Sequence, residues 1–178
     1  MSNTTFIETM LNSGAIVKLS HCFDNKGPAS IPSCLYYGTG RGHEVIPMTT
    51  DEELVIWLIT ALNAAYVEHG HFVEIGLVSD AFGCQFENVR AVREFIGAQK
   101  SLEDEFRERP DSDIEEILVA YAVFGDGTEA GGVMSYRYGD DGLPIFGKPV
   151  LSEGEQDGAI PALLRTFLSF LQQISDGG

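Results

Sequence analysis

Positive charge is scarce in this chain. Its 178 residues include 11 Lys and Arg against 27 Asp and Glu, a formal net charge of −16. A surface of that sign repels phosphate backbones and anionic bilayers, so direct contact with nucleic acid or a membrane is not expected. A basic protein is the partner it would attract. Long apolar runs are missing too: none approaches the roughly 18 residues that cross a bilayer. The opening MSNTTFIETMLNSG has neither a basic n-region nor a long apolar h-region, so a secretion signal is not expected. Only three cysteines occur, Cys22, Cys34 and Cys84, an odd number without framework spacing. Reduced thiols in a cytoplasm are the expectation.

What is present describes an ordered domain. Apolar residues make up 44% and charged residues 21%, near the globular average. The length suits one domain over 1–178, with a possible internal boundary in the turn-rich RPDSD at 109–113. The most ordered stretch is Thr50–Gly70. Thr50 and Glu53 have capping-box spacing, and Leu54, Leu58, Ala61, Leu62 and Ala65 repeat at helical intervals. Gly70 is a natural stop. A helix over about 51–69 with so wide an apolar stripe belongs under a sheet.

The same signals are read along the rest of the chain. Thr5 with Glu8 predicts a short helix at Phe6–Asn12, stopped near Gly14, and AIVKLS at 15–20 predicts a strand. Cys34–Tyr37 and Glu44–Met48 are short strands flanking the glycine-rich turn at 38–42. His71–Val78 alternates as a half-buried strand. A second helix is expected at about 86–108, ended by Pro110. Ser112 and Glu115 have capping-box spacing, but the β-rich run closed by Gly125-Asp126-Gly127 favours a strand from Glu116. Val133–Tyr138 alternates, Asp141-Gly142 marks a hairpin, and the two prolines of LPIFGKPVL assign it to an edge. A helix over about 158–175 closes the chain, with Leu163, Leu164, Phe167 and Leu171 on one face. The class is α+β with a largely antiparallel sheet.

Chemistry is sparser. His21, Cys22, Cys34 and His43 hold the nitrogen and sulfur donors of a zinc site, but neither a CxxC nor an HxxxH spacing occurs, so no metal and no cofactor are expected. Gly38–Gly42 lacks the lysine and serine of a phosphate loop. Cys84 is the best nucleophile, placed ahead of the second helix where the dipole lowers a thiol pKa; His71 would be its base and Asp80 the orienting group. Trp57 projects away from the main stripe with Glu53 and Glu68. It is therefore either an exposed anchor ringed by carboxylates or a side chain covered by the N-terminal segment. The acids fall in runs, one of them Asp111, Asp113, Glu115 and Glu116.

No catalytic set is convincing. The leading expectation is a non-enzymatic protein-binding module that occupies a basic, nucleic-acid-binding type of surface on a partner, as an inhibitor, immunity or phage-type anti-defence protein. Asp111, Asp113, Glu115 and Glu116 would steer and Trp57 would anchor. The alternatives are a cysteine-dependent enzyme using Cys84, an acidic secretion-type chaperone, or a domain whose acidity serves solubility alone. Oligomeric state is not readable from the sequence.

Overall fold

The computed structural model describes residues 2–39, 42–50, 52–84 and 114–176, with positions 90, 91, 94, 97, 98, 104, 107 and 108 between them. An α+β architecture results, in which one antiparallel sheet has helices on both faces. In chain order the elements are α1 (Asn3–Asp24), β1 (Cys34–Thr39), β2 (Gly42–Pro47), α2 (Leu54–His69), β3 (Glu74–Cys84), β4 (Ile114–Phe124), β5 (Glu129–Tyr138), β6 (Pro144–Phe146), β7 (Val150–Glu153) and α3 (Ala159–Asp176). The strand order is β2-β1-β3-β4-β5-β6, and β7 also pairs with β5. Because β4 pairs with β3 along its whole length, the sheet is continuous across the two halves that flank 109–113. The second helix expected at 86–108 lies mostly outside the described residues. Its described positions 90, 91, 94, 97, 104, 107 and 108 are helical.

Strand alternation sorts the side chains into two cores. Tyr36, Val78, Leu118, Ala120, Ala122, Ala130, Met134 and Tyr136 meet α1 on one face. Leu35, Tyr37, Ile75, Leu77 and Val123 meet α2 and α3 on the other, with Leu58, Leu62, Leu164, Leu168 and Leu171. Phe167 packs against that second cluster, so the two long amphipathic helices do share one core.

The N-terminal region departs from the sequence expectation. A short helix followed by a strand is replaced by one 22-residue helix, α1. Gly14 is not a stop: it is buried on the inner face, where an added Cβ would lie 3.2 Å from Val78 and 3.6 Å from Leu118. The inward set is Phe6, Ile7, Met10, Leu11, Gly14, Lys18 and Cys22. Its period is helical, but a buried lysine and an outward Ile16, 70% exposed, invert the hydrophobic pattern around 15–20. That inversion makes a helix read as a strand. The cap also differs, since Ser2 Oγ accepts the Thr5 N–H in place of the Thr5–Glu8 box.

Elsewhere the corrections are smaller. The Thr50 capping box does not form; α2 begins at Leu54, with Glu53 at the cap position and no side-chain cap bond. Gly70 does end it, at a φ of +74° that an L side chain rarely adopts. The strand expected at 71–78 runs instead to Cys84 and is buried on both faces at Ile75–Val78. LPIFGKPVL splits into β6 and β7, both against β5 at one edge of the sheet.

Candidate functional site

The densest polar grouping in the described residues lies beneath α1. Asp80, on the α1 face of β3, accepts the Lys18 ammonium at 2.6 Å and the Ile31 N–H at 3.2 Å through Oδ2. Its Oδ1 accepts the Tyr136 hydroxyl. Lys18 Nζ also sits 4.7 Å from the Tyr136 ring centroid and 5.5 Å from that of Tyr138, a cation–π arrangement. Only 1% of Lys18 is exposed. Burial works against its charge, but the hydrogen bond and field of Asp80, with Tyr138 adding, leave its pKa raised. Burial, then Asp80, holds the Tyr136 phenol well above its usual range. Glu116 lies opposite Tyr136 on β4; burial raises its pKa, Lys18 opposes that and Asp80 adds to it.

This arrangement ties a helix to the sheet. Lys18 is sealed from solvent, and both Asp80 oxygens already accept hydrogen bonds. An ion pair this deep is weak evidence of net stability, but it links α1 to β3 and, through Tyr136, to β5. Lys18 and Tyr136 are absent from the sequence-based candidates. The one available signal was a lysine recurring at helical spacing with Ile7, Leu11 and Gly14, visible only once the helix is drawn through Gly14.

The expected catalytic trio is not brought together. His71 precedes β3 and lines an open depression with Asn3, Asp126 and Gln172. Cys84 is the last residue of the same strand, paired with Ile114. Ten strand steps at about 3.3 Å put the two ends of β3 about 33 Å apart, far beyond any proton transfer. Asp80 is engaged with Lys18 and has no part in orienting His71.

The zinc candidates are scattered as well. Cys22 is buried on α1, Cys34 is buried in β1, and His43 on β2 stacks on Phe6 and bonds to Glu74. Among the described residues no three metal-binding side chains gather.

The expected docking residues fare unevenly. Trp57 is 6% exposed and packs in the cluster under α2 and α3, which contains no residue of α1. It is therefore a core side chain. Asp111 and Asp113 lie outside the described residues. Glu115 and Glu116 are neighbours on β4 and so project to opposite faces of the sheet. A run of acids on a strand is not one patch.

A different acidic edge emerges from the fold. Residues 42–89 contain eight Asp and Glu and no Lys or Arg. This stretch supplies β2 and α2, both lying along β1 at one side of the molecule. Glu44, Glu52, Glu53 and Glu68 are exposed there. Burial, then the fields of Glu44 and Glu68, push the Tyr37 phenol up. At the opposite edge Arg165 on α3 binds buried Glu129 at 3.1 Å and exposed Glu155 at 3.4 Å, while Asp140, Asp141, Glu153 and Asp157 are exposed there too.

No family model, curated protein or solved structure matches this chain. Function must therefore be argued from the site itself. Among the described residues no helix is long and apolar enough to cross a membrane.

Proposed function

We propose that this is a non-enzymatic protein-binding module that presents an acidic edge to a basic surface of its partner, acting as an inhibitor, immunity or anti-defence factor. The observation that carries the reading is the exposure of four carboxylates, Glu44 on β2, Glu52 and Glu53 between β2 and α2, and Glu68 on α2, within a stretch, 42–89, that contains no Lys or Arg. A field of one sign along an edge steers a basic partner and sets association rate more than lifetime. Among the described residues none of Glu44, Glu52, Glu53 and Glu68 pairs with a Lys or Arg; Glu68 meets only His69, at 3.6 Å. Their charge is left to act outward. The separation of Cys84 from His71 removes the main support for a cysteine-dependent enzyme.

The test is kinetic. A partner is recovered by pull-down from the native host and its binding measured at two salt concentrations. Changing Glu44, Glu52, Glu53 and Glu68 together to Gln should lower k_on several-fold at low salt. The gap should close towards 1 M, where the Debye length falls to about 3 Å. Asp140, Asp141, Glu153 and Asp157 changed to Asn or Gln form the control, equal in charge but set on other elements. Equal slowing by both sets would mean that net charge, not this edge, steers; a neutral or acidic partner would end the proposal.

A further inference from the structure

The two edges of the sheet are finished differently. At one, β6 and β7 are strands of three and four residues, each pairing with a different part of β5, with Pro144 and Pro149 in and between them. Short edge strands and prolines are the usual protection against added strands. At the other, β2 runs six residues without a lysine, and five of its six residues are exposed.

The backbone of β2 can be read from its neighbours. In an antiparallel ladder each residue turns its N–H and C=O to the same side, and successive residues alternate. The Gly38 carbonyl accepts the Val73 N–H at 2.9 Å, so Gly38 is turned towards β3. Its partner across the hairpin, His43, is then turned away from β1. Val45 follows by alternation. The Met48 N–H, bonded to Ser33 O at 2.8 Å, has the opposite parity and points inward as it should. The N–H and C=O of His43 and Val45 therefore face outward, and Pro47, next in that row, has no N–H to offer. Val45 itself is 47% exposed.

We infer that β2 is a docking edge that takes an extended, lysine- or arginine-rich segment of the partner as an additional antiparallel strand. The inference rests on the acidic-edge reading and deepens it. Outward main-chain groups supply hydrogen bonds of no sequence preference; the flanking side chains supply the choice of partner. Glu44 lies within the edge on the α2 side, opposite Tyr37; the ring of His69, next to Glu68 on α2, comes within 5.4 Å of the Tyr37 ring, and Glu52 and Glu53 follow β2. Alternate side chains of an added strand recur about every 6.6 Å along one face, so successive basic residues reach this row. A second copy of this chain would bring the same carboxylates against themselves, and is disfavoured for that reason.

The test uses the full-length protein and three short peptides. One alternates Lys and Thr, one is the same peptide N-methylated at alternate residues, and one alternates Glu and Thr. Binding is read by fluorescence anisotropy and site by amide hydrogen exchange. The Lys–Thr peptide should bind and protect the His43 and Val45 amides. The N-methylated peptide keeps the charge but loses one hydrogen-bonding edge, and should bind about tenfold or more weaker. Val45→Pro should have a similar effect with unchanged circular dichroism, because an outward N–H on an edge strand is dispensable to the fold. Should that variant fail to fold, the methylated peptide still decides. Equal binding of the plain and methylated peptides, protection outside 42–47, or no binding at all would overturn edge docking; in the first two cases the basic-partner reading survives. If the Glu–Thr peptide binds as well as the Lys–Thr peptide with the same protection, strand addition stands and the basic-partner reading falls. A dimer in sedimentation that Val45→Pro abolishes would overturn the choice of occupant in favour of a second copy.

Discussion

The two faces of the sheet are buried by different means. The face under α2 and α3 is covered by two helices carrying Trp57, Leu58, Leu62, Leu164, Leu168 and Leu171, large side chains that fill space without polar partners. The other face is covered by one helix that comes very close. Glycines line the approach: a Cβ at Gly132 on the sheet would lie 2.7 Å from Ile7 and 3.1 Å from Leu11, and one at Gly14 on α1 would lie 3.2 Å from Val78. One helix set so near cannot adjust by sliding, and the Lys18–Asp80–Tyr136 network links it to β3 and β5. The first face gains from bulk, the second from fit. Bulk tolerates error in position, whereas fit needs a directional anchor.

The sharpest way to break this contrast is to unpair the anchor. Lys18→Ala leaves the Asp80 carboxylate half-buried without its cation, and should cost about 3–5 kcal/mol in urea unfolding. Lys18→Met combined with Asp80→Asn should recover most of that loss, since no lone charge remains. A single-variant loss below about 1 kcal/mol would show that the network is incidental to the fit.

Next in size is a deletion on the opposite face. Leu62→Ala should cost about 2–5 kcal/mol through lost transfer energy and the cavity left behind. Combined with Lys18→Ala it should be near additive, because the sheet separates the two sites; coupling above about 0.5 kcal/mol would mean the faces are not independent.

Fit itself is probed by Gly132→Ala. The added methyl must displace Ile7 and Leu11, and overpacking of that kind costs about 1–3 kcal/mol. A neutral result in thermal unfolding would show that α1 can move outward after all.

Least is expected of pH over the ordinary range. Lys18 and Tyr136 both have raised pKa values in the folded chain. A raised group contributes stability that is complete below its unfolded value, about 10.4 for Lys and 10 for Tyr, and that drains away as pH rises through the folded one. Chemical denaturation should therefore show no alkaline loss from this network below about pH 10 and a decline above it. The decline should be shallower in Lys18→Met; an unchanged slope would remove Lys18 from the account.

Patterning over whole elements determined the class and the main core. α2 and α3 follow from stripes long enough to survive errors at their ends, and β4 and β5 follow from β-rich or alternating runs closed by turns. Those signals are local and repeat several times within each element. The rest turned on contacts between distant residues. Gly14 reads as a stop until Val78 and Leu118 are seen against it, and nothing local marks Lys18 as buried until Asp80, 62 positions away, supplies its counter-charge. Trp57 reads as either an anchor or a covered side chain until the cluster on the α2 and α3 face is seen to take it in. Glu115 and Glu116 read as one patch until a strand sends them to opposite faces. The acid excess and the absence of Lys and Arg from 42–89 were in the sequence throughout. Only the tertiary structure placed β2 last in the strand order, with no further strand beside it among the described residues and α2 nearby, because strand order is set by pairing across the chain and no local pattern encodes it.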